Sequence, residues 1–140
     1  MNTSSYCRRE PPAPVRNHAD AIRLISAAVH VPLVDETLAV LLDDRGRGNT
    51  LVSVSGTDDP DAVFDVADCM ATAGSLSGRF TRLVLATVRP DDGLLGADID
   101  RWMEISQRTA GHGVTLIEWY VVHPDGIACP RELLGEPPRW

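Results

Sequence analysis

Helical and strand periods alternate along this chain and predict six main elements. Ile22, Leu24, Ile25, Ala28 and Val29 recur at helical spacing in a first helix that begins near Asn17, and His30 and Pro32 mark its end. Residues 38–42 read as a strand, residues 43–49 as a turn with Gly46 and Gly48, and residues 50–54 as the returning strand of a hairpin. Gly56-Thr57-Asp58-Asp59-Pro60 opens a second helix, with Asp59 as N-cap and Pro60 in the first helical position. Val63, Phe64, Val66, Ala67 and Met70 form its buried stripe. Residues 83–88 are apolar without interruption, the pattern of a central strand covered on both faces. Ile99, Trp102, Met103 and Ile105 place a helix over 98–109, which Gly111 and Gly113 stop. Residues 114–122 form another strand. His123-Pro124-Asp125-Gly126 turns the chain into a short return strand from Ile127 to Cys129.

The ends lack such periodicity. Residues 1–16, with Pro11, Pro12 and Pro14, read as a disordered tail in which Arg8-Arg9 is solvated. Residues 136–140 read as an irregular C-terminal tail whose Trp140 packs back or docks on a partner. The 140 residues suit one domain spanning 17–135, and a hydrophobic content of 44% fits a globular chain. No apolar run approaches the ~20 residues of a membrane span, and no apolar segment follows Arg8-Arg9 as a secretory signal would require; the expected compartment is the cytoplasm. A net charge of −7 disfavours direct nucleic-acid contact. All thirteen basic residues are arginines, which removes lysine nucleophiles and Schiff bases. Cys7, Cys69 and Cys129 form no metal-ligand spacing. Cys7 falls in the tail, and the other two are expected to be small buried hydrophobes.

Chemistry-bearing residues are sparse. His18, His30, His112 and His123 show no metal-like spacing and read as polar loop residues. Asp58, Asp59 and Asp61, and Asp91-Asp92 with Asp98 or Asp100, offer a hard-cation reading for Mg²⁺ or Ca²⁺; the expected roles are helix N-terminal placement for the first group and a solvated loop for Asp91-Asp92. Ser53, Ser55 and Thr57 stand near a turn without a visible His/Asp set. Neither a GxSxG elbow nor a phosphate-binding glycine loop occurs. Trp102 is expected in the core. Glu118 and Trp119 alternate with Ile117 and Tyr120 across a strand, and one of those faces is a candidate contact surface.

Several segments together resemble one family. Arg82-Leu83-Val84-Leu85-Ala86-Thr87-Val88-Arg89-Pro90 followed by Asp91-Asp92-Gly93-Leu94-Leu95-Gly96-Ala97-Asp98-Ile99-Asp100 is a strand, a Pro turn and a glycine loop entering a helix. Glu36-Thr37-Leu38-Ala39-Val40-Leu41-Leu42-Asp43-Asp44, Ser55-Gly56-Thr57, the strand 113–122 and the segment Gly126-Ile127-Ala128-Cys129-Pro130-Arg131-Glu132-Leu133-Leu134-Gly135 occur in matching order. This layout resembles the JAB/MPN (JAMM) metalloprotease family, particularly its bacterial RadC-like branch, over about residues 17–135. The resemblance implies one α/β domain, a mixed β-sheet flanked by helices in a cytidine-deaminase-like layered architecture.

The resemblance also implies a zinc site held by two histidines and an Asp, with a Glu as general base and a Ser at the oxyanion. Carried over position by position, Glu36 falls at the base, Thr87 and Arg89 at the histidines, Ala97 at the Ser and Asp100 at the Asp. Arginine cannot ligate zinc, since its guanidinium stays protonated. The expectation is a pseudoenzyme: a non-catalytic scaffold or protein-interaction module without metal or cofactor, binding a protein partner or itself, with Arg89, Glu118 and Trp119 as candidate contacts. Arg89 is expected either to pair with Asp100, and with Glu36, in place of the metal, or to point into solvent. Two alternatives stay open. One is a zinc-dependent hydrolase of isopeptidase or peptidase type using Glu36, Asp100 and ligands such as His112, His123 and loop carboxylates. The other is an anion- or nucleotide-binding pocket at Arg89.

Overall fold

Capping sets the first element. The computed structural model describes residues 13–140, and in it α1 spans His18–Ala28. The Asn17 side chain accepts the Asp20 N–H at 2.9 Å, satisfying one of the donors a helix start leaves unpaired. Cys7, Arg8-Arg9, Pro11 and Pro12 lie outside the described residues. Val15, expected in the tail, is in fact 1% exposed. Its N–H donates to the Gly46 carbonyl at 2.7 Å.

Strands β1 (Glu36–Leu42) and β2 (Gly48–Ser55) form the expected hairpin. One Asp43 oxygen accepts the N–H groups of Arg45 and Arg47 and shapes the turn. Gly46 is required there twice over. Its φ is +78°, and a Cβ would stand 2.5 Å from the Val15 carbonyl oxygen. Helix α2 (Ala62–Ser77) begins later than its sequence predicts. The Asp59 carboxylate accepts the Asp61 N–H at 2.9 Å and closes a turn that holds Pro60, so Asp61 becomes the N-cap.

Then come β3 (Arg82–Val88), α3 (Asp98–Ala110), β4 (Thr115–His123), β5 (Gly126–Ala128) and α4 (Pro130–Leu134). The sequence pattern does not announce α4. Proline at its first turn suits a helix start and cannot extend β5, so Cys129 caps the helix rather than ending the strand. The strand order is β2-β1-β3-β4-β5. β1 is antiparallel to both neighbours, β3 and β4 are parallel with α3 as their crossover, and β5 returns antiparallel. The result is the expected α/β domain, a five-stranded mixed sheet flanked by helices.

Strand parity divides the core. Leu38, Val40, Val84, Ala86 and Tyr120 meet α1 on one face. Ala39, Leu41, Leu85, Trp102 and Trp119 meet α2 and α3 on the other. Trp119 and Tyr120 are both 0% exposed, so neither face of β4 is free. That corrects the expected contact surface: β4 is an interior strand, covered by helices on each side. Trp140 packs against the α1-side core. Among the described residues no helix is long and apolar enough to cross a membrane.

Two stripe assignments change. Met103 is 39% exposed, and Cys69 is exposed because it stands about 200° around α2 from Ala67, away from the buried stripe. Cys129 is buried, as expected. Burial and the carboxylates of Glu118 and Glu132 push its thiol well above the ordinary range, against a reactive thiolate. Iodoacetamide should therefore alkylate Cys69 in the native protein and reach Cys129 only after unfolding. Peptide mass mapping checks this, and native modification of Cys129 would contradict its burial.

Candidate functional site

The residues matching the family site are Glu36, Thr87, Arg89, Ala97 and Asp100, and the sheet keeps them apart. Glu36 lies opposite Val88, and Thr37 lies opposite Thr87. Directly opposed residues share a face and successive residues alternate. Glu36 therefore belongs to the α1 face, and Thr87 to the α2/α3 face. Ala97 and Asp100 are exposed around the start of α3.

Arg89 is buried, 6% exposed, and its partner is Asp98 rather than Asp100 or Glu36. The pair is bidentate, at 2.7 and 3.0 Å, the geometry that suits guanidinium and carboxylate. The helical period explains the choice. Asp98, Trp102, Ile105 and Thr109 share the buried face of α3, whereas Asp100 is turned about 200° away from Asp98. Arg89 also donates to the Gly93 carbonyl at 3.0 Å. Asp98 further accepts the Leu95 N–H at 2.7 Å and an Arg101 N–H at 2.9 Å. Arg101 reaches on to Asp61 at 3.0 Å. Burial alone would raise the Asp98 carboxyl; the bonds from Arg89, Leu95 and Arg101 outweigh it and hold the group below its ordinary value of 3.8.

Thr87 is equally committed, its hydroxyl accepting the Trp119 indole N–H at 2.9 Å. A zinc ion at the matched positions would face the Arg89 cation and a neutral hydroxyl already bonded, with the exposed Asp100 as the matched carboxylate. The residues do not fit the metal. Among the described residues, no group of three or more His, Cys, Asp or Glu could hold one, and no buried side-chain polar atom lacks a partner.

Glu36 has partners that the sequence reading does not connect. Its carboxylate accepts the His30 main-chain N–H at 3.1 Å, the His30 ring Nδ1 at 2.9 Å and the Ser53 hydroxyl at 3.0 Å. Parity places Ser53 on that face, two positions from Ser55, which lies opposite Glu36. His30 arrives from the loop after α1, which no local pattern reveals. Serine, carboxylate and imidazole stand in the wrong order for a nucleophile and its base, because Ser53 bonds Glu36 and not the imidazole.

Glu118 and Trp119 are 0% exposed. Burial raises the Glu118 carboxyl, and the Arg131 guanidinium at 2.7 Å opposes that. His18 Nδ1 lies 3.0 Å from the Tyr120 hydroxyl, while His112 is exposed in the turn after α3.

At the end of the sheet where β1 starts and β3 and β4 finish, a cleft of about 620 Å³ opens between Val31, Leu33, Pro90, His123, Pro124 and Ile127. Val31 is 88% exposed there. Asp91, Asp92 and Asp125 follow the lining prolines, and Asp35 follows the Val31 segment. Burial, then repulsion from Asp58, Asp91 and Asp92, raises the Asp35 carboxyl, so these four acids lie near one another beside the Val31 segment.

No protein-family model matches the chain, and neither does any curated protein.

Replacing Arg89 with Ala should cost about 3 kcal/mol, the lower end for breaking a buried pair, since Arg101 and Leu95 still hold Asp98. Urea denaturation measures this, and an unchanged midpoint would mean the pair contributes nothing. The Asp98 pKa is depressed in the folded state. Its stabilisation is therefore present above pH 3.8 and lost as pH falls through the folded value. Below pH 4 the stability of the wild type should fall more steeply with acid than that of Asp98→Asn, as acid titrations of both would show.

Proposed function

We propose that this chain is a non-catalytic domain of JAB/MPN, RadC-like type that works as a protein-interaction or scaffold module. The Arg89–Asp98 pair carries this reading. Arg89, at a position matched to a zinc histidine, is held in an internal, fully bonded ion pair and is not free for other partners. Glu36, the position matching the general base, serves the opposite face by binding His30 and Ser53. The same pair argues against an anion pocket at Arg89, whose charge is already matched.

The apolar cleft supports a binding role. Exposed Val31 and half-buried Leu33 and Ile127, with acidic residues adjacent in sequence to the cleft lining, suit a peptide segment with apolar residues flanked by arginine or lysine. The partner's apolar side chains would fill the space beside Val31 and Ile127, and its cations would meet Asp91, Asp92 and Asp125.

Protein loaded with zinc and then dialysed should retain no stoichiometric metal. A labelled peptide with an apolar core and arginine flanks should bind, and its glutamate-flanked counterpart should bind more weakly. Val31→Asp should abolish that binding at unchanged stability, since Val31 is exposed. Retained zinc with amide hydrolysis lost in Glu36→Gln would establish the hydrolase instead. Failure of the peptide alone would reject this cleft as the contact surface.

A further inference from the structure

At the opposite end of the sheet the charge reverses. Arg16, Arg45, Arg47 and Arg82 line one cleft of about 550 Å³, together with Asp44 and Trp140. Every other described arginine lies within ion-pair distance of a carboxylate. These four have no carboxylate within that distance among the described residues, although the chain carries seven more acidic than basic groups. Among the described residues, the guanidinium groups without an ion-pair partner thus stand together.

The backbone builds this cluster. Arg45 and Arg47 stand on the β1–β2 turn, where Asp43 binds both of their N–H groups. The Val15 N–H bonds the Gly46 carbonyl, and the Arg16 side chain donates to the Arg45 carbonyl at 3.3 Å. Arg82 opens β3 directly opposite Leu42, the last residue of β1. Trp140, half-buried, closes the cleft. Gathering four like charges is unfavourable unless a counter-charge enters. Asp44 supplies one negative charge; Asp20 and Asp43 also act on Arg16 and Arg47, but each is shared with a further arginine, Arg23 and Arg79, so positive charge stays in excess.

We infer that this cleft binds a phosphate chain, an anion carrying two or more adjacent phosphoryl groups. Guanidinium forks match phosphate oxygens in pairs, and several forks around one cleft favour a ligand with several anionic groups over a single phosphate. A free polyphosphate and a nucleoside triphosphate share this chemistry. Trp140 would favour the second if its indole contacts the base.

The test uses the full chain in chloride buffer free of phosphate and sulfate, with tripolyphosphate, adenosine triphosphate and orthophosphate as probes. Tripolyphosphate at a hundredfold excess over its Kd should raise Tm by about 5–10 °C, and its affinity by calorimetry should fall as salt increases. The double variant Arg45→Gln/Arg47→Gln keeps the backbone bonds of the turn and should weaken binding by about tenfold or more. Arg108→Gln, on the outer face of α3, should leave binding unchanged. Tighter binding of the nucleotide, lost in Trp140→Leu, would identify a nucleotide site, and equal affinity for both probes would identify a site for the phosphate chain alone. No thermal shift, orthophosphate binding as tightly as tripolyphosphate, or full affinity in the double variant would each overturn the assignment.

Discussion

The bidentate bond between Arg89 and Asp98 organises one end of this molecule. The Arg89 main-chain N–H donates to the Val122 carbonyl at 2.8 Å and extends the β3–β4 pairing by one residue. Its side chain then turns inward and fastens the following loop through Gly93 and Asp98. Asp98 draws in Leu95 and Arg101, and Arg101 reaches Asp61 at the entrance to α2. One carboxylate therefore holds β3, the start of α3 and the start of α2 in register. A buried ion pair offsets its desolvation only when the remaining hydrogen-bonding sites are satisfied, and here the donors supply that. The completeness of the network leaves none of these groups free for chemistry.

Strand parity makes the separation of Glu36 from Arg89 permanent. No side-chain rotation moves Glu36 through the sheet to the face of Thr87 and Arg89. Only a one-residue slip of β1 would do so, and it would turn Leu38, Val40 and Leu42 out of the α1-side core. The hydroxyls nearest the boundary are already engaged, Thr37 with Thr57 and Thr87 with the Trp119 indole. A site that joined Glu36 to Thr87 and Arg89 would need a different register.

Much of the architecture was legible because long apolar runs and caps are local signals. The unbroken 83–88 run marks the central strand, and Asn17 marks the start of α1. Part of the site was legible too. Asp98 stands four residues before Trp102 and seven before Ile105, on the buried face of α3. That spacing selects it over Asp100 as the inward carboxylate, a signal that matching the family pattern position by position overrides. The bond between His30 and Glu36 was not legible, since it depends on how a loop folds back over the sheet. Nor was the burial of both faces of β4, which depends on helices packed from distant parts of the chain. The arginine cleft gathers residues 16, 45, 47, 82 and 140, which no window along the sequence contains.

Those two clefts give the charge distribution a direction. β1 runs from Glu36, near the acidic apolar cleft, to Leu42, beside the arginine cleft, a distance of about 20 Å at the usual rise of an extended strand. That exceeds the screening length of roughly 8 Å at physiological salt, so each end presents its own field rather than the average of −7. The net charge disfavours tracking along a nucleic acid, but it does not oppose a small anion at the arginine end. A cationic segment at the acidic end would lie beyond effective repulsion from those arginines. The rigid sheet between them would let both ends be occupied together, with little direct electrostatic coupling between the two ligands.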